Sequence, residues 1–420
     1  MRLFSRPYRP YYGWVMVGAL SVTETISYGI LAYSFTVFIA PMRAELGWSI
    51  AGLTGAYSLG LLIAGFTAVA VGRWLDEHGA RVPMSLGSLL AALLILGWAQ
   101  VHTLWAFYLL WVGLGAAMAA VLYEPAFAVL TKWFRRDLGK ALTVLTFLAG
   151  FASVIFIPLA GYLVDAHGWR HALRVLALIQ LGTLPLHALL LRRQPADLGL
   201  EPDGAPPPAA GTRDAPQTGL TPQQAFARVD FRRLAIAFSL STFAITAVGV
   251  HLVPLLVAAG RTATSAAAIG GAIGLLALPG RIVLTPLGDV WPRRFVAAVI
   301  FALQAAGILV LFAGDGASAP VWAFVILYGA GFGAITPARA ALLAEYYGGR
   351  YYGRIGGRMA LINSLARAVA PVSTGVLVTL SGGEYRLLLV LLALICALAA
   401  LSVAGARVPG HTPGEQSAAS

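Results

Sequence analysis

Glu24, Glu124, Arg281, Arg339, Arg367 and His251 each stand inside a long apolar run of the sequence. An ionisable side chain at the centre of a membrane-spanning helix costs roughly 2.5–3.5 kcal/mol on insertion scales, so such residues face protein or an aqueous cavity rather than lipid. Two kinds of chemistry are on offer. An arginine stays charged and presents a planar fork that holds both oxygens of a carboxylate. A carboxyl or an imidazole can take up and release a proton. Asn363 stands one helical turn before Arg367 on the same face, with Ser364 beside it. Tyr28, Tyr33 and Tyr123 carry hydroxyl tips that suit a cavity wall. Each residue also has a plainer reading. The arginines and glutamates can pair as fixed ions between helices, a lone histidine in an apolar helix is usually only hydrogen-bonded, and tyrosines pack. Arg339, nearer a membrane surface, fits structural pairing best.

The elements that must position these groups are membrane helices. Hydrophobic residues make up 59% of the 420-residue chain and charged residues 11%, against about 25% charged in soluble domains. Twelve apolar stretches are each long enough to cross a bilayer, for which about 20 residues suffice; the first covers 12–39. Helix is the required form, because a lipid-exposed backbone must satisfy its own polar groups. The net charge of +12 belongs to residues beside the spans, with no basic stripe or aromatic platform, so nucleic acid is not an expected partner. Arg2, Arg6 and Arg9 precede a first span too long for a signal segment, and no small-residue cleavage site follows. The single cysteine, Cys396, excludes an intrachain disulfide.

The second six spans repeat the first six. Asp289 follows Asp76 by 213 residues, Pro337 follows Pro125 by 212, and Gly353 follows Gly139 by 214. The expected organisation is a six-helix bundle over 1–192, a cytoplasmic linker over 193–231, a second bundle over 232–406 and a polar tail over 407–420. Gly204-Ala205-Pro206-Pro207-Pro208 and the polar residues after it predict a flexible, solvated linker. Two such halves around a polar cavity make an alternating-access transporter. Lys and Arg concentrate on one side of the spans, among them Arg73, Arg81, Lys132, Arg135, Arg136, Lys140, Arg213, Arg228, Arg293 and Arg294. That side, with both termini, is therefore expected in the cytoplasm. No P-loop, no Cys/His metal pattern and no nucleophile–base pairing stands out. Neither an enzyme nor a cofactor is expected, and transport, if present, is secondary.

The loop after the second span reads Gly72-Arg73-Trp74-Leu75-Asp76-Glu77-His78-Gly79-Ala80-Arg81. Gly72 lets two helices approach closely, Asp76 can accept from the positive N-terminus of another helix, Gly79 allows a tight turn, and Arg81 faces anionic lipid or a carboxylate. This spacing resembles the loop signature of the major facilitator superfamily, with Asp289, Arg293 and Arg294 as the weaker second copy. The family usually carries a basic residue at position 77 and often at 80, so Glu77 and Ala80 predict a different local charge relay. Shorter stretches resemble the monocarboxylate porter and oxalate–formate antiporter branch: Tyr11-Tyr12-Gly13-Trp14, Leu46-Gly47-Trp48-Ser49, Lys132-Trp133-Phe134-Arg135-Arg136, Gly168-Trp169-Arg170 and Arg281 through Asp289.

The resemblance implies an all-α integral membrane protein of twelve helices in two pseudo-symmetric six-helix bundles. It implies that Arg281, eight residues before the loop aspartate, binds a substrate carboxylate, with Arg367 as a second cation; the residues themselves add Asn363, Tyr28 and Tyr123 as binding candidates. Glu24, Glu124 and His251 are the proton-coupling or counter-ion candidates, and Gly72, Asp76, Gly79, Arg81 and Asp289 the gate. The expected activity is transport of a small organic anion, a monocarboxylate by preference, coupled to protons, by a multi-pass inner (plasma) membrane protein acting as a monomer. Carboxylate exchange and drug–proton antiport are the alternatives. The second is disfavoured by Ile157-Pro158-Leu159 in place of a Gly-Pro pair in span 5. A membrane sensor would be expected to add an effector domain.

Overall fold

The computed structural model describes residues 11–204, 219–314 and 317–407. Arg2, Arg6, Arg9 and Arg213, the proline run of the linker and residues 408–420 lie outside the described residues. Among the described residues twelve helices are long and apolar enough to cross a membrane: α1 (Tyr12–Leu46), α2 (Ile50–His78), α3 (Arg81–Trp98), α4 (Leu104–Trp133), α5 (Leu138–His167), α6 (Trp169–Leu190), α7 (Val229–Ala258), α8 (Ala263–Leu287), α9 (Arg293–Ala313), α10 (Ser318–Tyr347), α11 (Tyr352–Leu380) and α12 (Arg386–Ala404). They form two six-helix halves, α1–α6 and α7–α12. The helix starts follow ordinary capping chemistry: Ser49 Oγ accepts from Gly52 N at 3.0 Å to open α2, and Thr262 Oγ1 accepts from Ser265 N at 3.2 Å to open α8.

α1 outruns its apolar stretch. It relaxes into a π-turn over Gly29–Tyr33, carries Pro41 within its last turns and ends at Gly47, whose φ of 69° closes it. The polar end stays helical because Glu45 is gripped from α6, by Trp169 Nε1 at 2.5 Å and Arg170 Nε at 2.9 Å. α5 breaks at Gly150–Phe151, between its segments Leu138–Ala149 and Ala152–His167.

The apolar core has three parts, and their distribution sets the state of the molecule. One cluster belongs wholly to the first half, around Phe38, Trp98, Phe107 and Trp111. A second belongs wholly to the second half, around Leu256, Ile308, Phe324 and Tyr328. The third joins the halves, packing Leu130, Trp133 and Leu142 with Phe238, Tyr347, Tyr352 and Met359. This shared cluster lies on the side of the linker, where α1 begins and α12 ends. The halves are thus fused through apolar packing on the linker side and have separate cores on the other.

The linker is more ordered at its ends than its composition suggests. The Asp203 carboxylate accepts from the backbone N–H of Arg135 (3.0 Å), Arg136 (2.8 Å) and Asp137 (3.2 Å), which clips the chain to the start of α5. At the far end Leu220 N donates to Tyr347 O at 3.0 Å, and a reciprocal Thr221–Gln224 capping box opens the helical turn Pro222–Ala227. Local hydrogen bonds to neighbouring loops decide these segments, and composition does not register them.

Candidate binding and gating site

A cavity of about 110 Å³ lies between the halves, with Tyr28, Tyr123, Glu124, Arg339, Asn363 and Arg367 among its walls. The first three come from α1 and α4, the others from α10 and α11. The rings of Tyr28 and Tyr123 lie 4.5 Å apart and tilted by 40°, turning two aromatic faces and two hydroxyls toward one place. Asn363, 4% exposed, accepts from Ser239 Oγ at 3.3 Å, which fixes its amide against α7. Arg367 is exposed and makes no hydrogen bond or ion pair with any described residue. Its guanidinium shares the cavity wall with Glu124, whose carboxylate is bonded to Arg339 instead.

Arg281 is not a wall of this cavity; it is buried at 9% exposure and adjoins the cavity through the wall residue Tyr123. Its Nε donates to Gly333 O in its own half at 2.9 Å, and its Nη1 donates to Thr146 O of the other half. The guanidinium also lies against the Tyr123 hydroxyl. Close approach is possible because α5 breaks at Gly150, where a Cβ would fall 2.5 Å from Nη1. Its partners on α5 and α10 are neutral carbonyls and its partner on α4 is a hydroxyl, so no carboxylate among the described residues pairs with Arg281.

The acidic candidates separate. Glu124 is bonded across the halves to Arg339, Oε1 accepting from Nη2. Glu24 is fully buried, and neither of its carboxylate oxygens has a hydrogen-bond partner. His251 is remote from the cavity walls, with Nε2 2.9 Å from the Thr374 hydroxyl between α7 and α11.

On the linker side the halves meet through the ends of α2 and α11. Asp76 Oδ1 accepts from Gly353 N at 2.7 Å and Oδ2 from Arg354 N at 2.9 Å, so its charge caps the N-terminus of α11. Gly72 faces Gly353 so closely that a Cβ on either would collide with backbone. Gly79, with φ 82°, closes α2, and its turn packs on Arg193. Arg81 is exposed and meets no carboxylate among the described residues. Asp289 lies against Gly139 at the start of α5 and accepts from Arg293 at 3.2 Å. The two repeat aspartates therefore each reach the repeat glycine of the opposite half.

One gate contact escaped the sequence: Arg354 Nη2 donates to Glu77 Oε1. The signal was present, since an acidic residue where the family carries a basic one calls for a basic partner, and Arg354 directly follows the landmark Gly353. Among the described residues, hydrogen bonds and ion pairs join the halves at Asp76, Glu77, Glu124 and Arg281. Asp76→Asn keeps the shape and removes the charge from the α11 dipole, which is worth about 0.3–1 kcal/mol. A cysteine placed at Ala360, on the cavity wall, should then label about two- to fivefold faster from the linker side. Equal rates in mutant and parent would remove Asp76 from the gate.

The family model of the Major Facilitator Superfamily matches residues 22–371 and 234–419. The bovine (Bos taurus) monocarboxylate transporter 13 is 26% identical over 347 residues, covering 82% of this chain and 78% of that protein. The human (Homo sapiens) monocarboxylate transporter 11 is 29% identical over 378 residues, covering 87% and 77%. A crystal structure of the Escherichia coli fucose:proton symporter FucP superposes with a TM-score of 0.69 at 16% identity, over 94% of this chain and 98% of that one, a likeness of fold. Twelve membrane-crossing helices in two halves, with charges gathered at their boundary, are the architecture of transporters rather than enzymes, and this chain belongs to the major facilitator superfamily.

Proposed function

We propose that the protein is a proton-coupled symporter of a small monocarboxylate, working by alternating access between its halves at 1–192 and 232–406. The observation that carries this reading is the charge arrangement at the boundary: among the described residues Arg367 and Arg281 form no ion pair with a carboxylate, and neither oxygen of Glu24 has a hydrogen-bond partner. The arginines are the substrate anchors, with Asn363, Tyr28 and Tyr123 shaping the site. Glu24 is the proton carrier and Glu124 a counter-ion. The cavity of about 110 Å³ is far smaller than the ~300–1,000 Å³ of sites for drug-sized ligands, which disfavours drug efflux. The names of the two monocarboxylate transporters agree with the substrate class.

Proton coupling has an energetic reason. An anion entering a negative-inside cell works against about 2.3 kcal/mol per charge per 100 mV, and one accompanying proton cancels that charge. Lys and Arg density supports placing the termini, the linker (193–231) and the tail (407–420) in the cytoplasm of a cell bounded by the inner (plasma) membrane. In that orientation the linker-side closure makes this the outward-facing state. One chain supplies both walls of the cavity, so a monomer suffices.

The test is uptake of labelled formate, acetate, lactate and pyruvate into proteoliposomes under an imposed pH gradient, acid outside. Acid-stimulated uptake, collapsed by a protonophore, is expected for at least one of the four. Indifference to the gradient, with strong stimulation by internal carboxylate, would replace symport with exchange.

A further inference from the structure

Behind the cavity, inside the first half, five buried polar side chains form one connected chain. Gln180 on α6 donates from Nε2 to Ser27 Oγ on α1 at 3.2 Å and to Thr183 Oγ1 at 3.4 Å. Thr183 Oγ1 lies 2.7 Å from Ser88 Oγ on α3, and Ser88 Oγ lies 2.9 Å from His187 Nδ1, which also approaches Met84 O at 3.2 Å. Ser27, Ser88, Gln180, Thr183 and His187 have no solvent exposure. None of them lines the 110 Å³ cavity.

The chain has a direction. With the amide nitrogen of Gln180 committed to two hydroxyls, its rotation is fixed from α3 through Thr183 and Ser88, and its carbonyl oxygen is left over. That oxygen is buried without a donor. Glu24 stands one helical turn before Ser27 on the same face of α1, fully buried, with both oxygens unpartnered. Once protonated, it acquires the O–H donor that the Gln180 carbonyl lacks. The other titratable groups acting on Glu24 are Glu124 and Tyr123 of α4 and Tyr28 of its own helix. His187 closes the far end of the chain.

We propose that Gln180 is the positioning residue for the proton carrier: its carbonyl oxygen receives the hydroxyl of protonated Glu24, so that the α3–α6 network holds α1 more firmly when the proton is aboard. This rests on Glu24 being the carrier. It links proton loading to the substrate site because Tyr28, one turn beyond Glu24 on α1, is a wall of the cavity. A network serving only to pack helices would need no free acceptor on the side chain that holds Ser27, one turn from a free carboxyl.

The test compares Gln180→Leu, Ser27→Ala and Glu24→Gln with the parent in proteoliposomes, using whichever of formate, acetate, lactate or pyruvate the parent takes up fastest. Gln180→Leu should fold, since leucine keeps the volume and Thr183 retains its bond to the Gln180 backbone carbonyl at 2.8 Å. Labelled-substrate counterflow at equal pH should stay within about twofold of the parent. The pH of half-maximal uptake should move to more acid values by about one unit, tenfold in proton activity. Ser27→Ala, which only loosens the amide, should move it the same way and less. Parental profiles in both variants, with Glu24→Gln insensitive to acid, would overturn the role of Gln180 and leave the carrier in place. Acid stimulation surviving in Glu24→Gln would overturn both. Loss of counterflow in Gln180→Leu beside a parental profile in Ser27→Ala would reduce the network to packing.

Discussion

Replacing Arg281 with lysine is expected to lower monocarboxylate uptake about 10–150-fold while the protein folds and keeps its thermal midpoint within a few degrees. The range follows from losing one charge-assisted hydrogen bond, roughly 1.5–3 kcal/mol, since lysine keeps the charge but not the fork. Arg281 is already held by Gly333 O, through Nη1 by Thr146 O of the other half, and by the Tyr123 hydroxyl, with no carboxylate paired to it among the described residues. In the proposed mechanism the same guanidinium both ties the halves and meets substrate. A lysine can satisfy one carbonyl but cannot bridge two and also present a donor to a carboxylate. Arg281→Ala should abolish uptake altogether. Proteoliposome uptake of labelled lactate and pyruvate decides the point: parental rates in Arg281→Ala would take the anchor away from this residue and leave Arg367 to carry it.

The sequence made the skeleton legible for a plain reason. A bilayer imposes length and apolarity on each span independently, so α2 through α12 could be read one at a time. The repeat then paired Asp76 with Asp289 and Gly139 with Gly353 without any knowledge of contacts. Where a helix leaves the hydrocarbon that rule loses its force. α1 continues seven residues past the apolar stretch because Glu45 is gripped by Trp169 and Arg170, more than a hundred residues away. The linker behaves similarly, since Asp203 is fixed by three backbone N–H groups of another loop.

The site was legible as a set of residues and not as a set of pairs. Charge in an apolar run marks Glu24, Glu124, Arg339 and Arg367 equally, whereas partnership depends on how the halves meet. Glu124 and Arg339, 215 residues apart, bond across the boundary. Glu24, on the same half as Glu124, has no hydrogen-bond partner for either carboxylate oxygen among the described residues. On the proposed reading that difference divides the two glutamates between fixing the structure and carrying a proton, and nothing in their local sequence distinguishes them. His251 turns out to face Thr374, the ordinary fate of a lone histidine between helices.

The pair that ties Glu124 to Arg339 leads to the second large effect. Its side chains are 20% and 16% exposed, so water reaches the pair only in part. The bond exists only while the halves are closed on the linker side. Glu124→Gln keeps the shape of the side chain and removes its charge. The closed state then loses a charge-assisted contact, about 1.5–3 kcal/mol, and keeps an unpaired guanidinium in a partly buried place. The ratio of closed to open molecules should fall by one to two orders of magnitude, at about 1.4 kcal/mol per factor of ten. A cysteine at Ala360 reads this directly, once the buried native Cys396 is replaced by alanine. Labelling from the linker side should rise steeply in Glu124→Gln and in Arg339→Met. In the double variant it should exceed the parent by less than the product of the two single effects, because removing both partners leaves no stranded charge. Strict additivity of the two would mean that the ions do not act as a pair. Parental labelling in both single variants would mean that Asp76 and the apolar cluster around Tyr352 and Met359 hold this side shut without them.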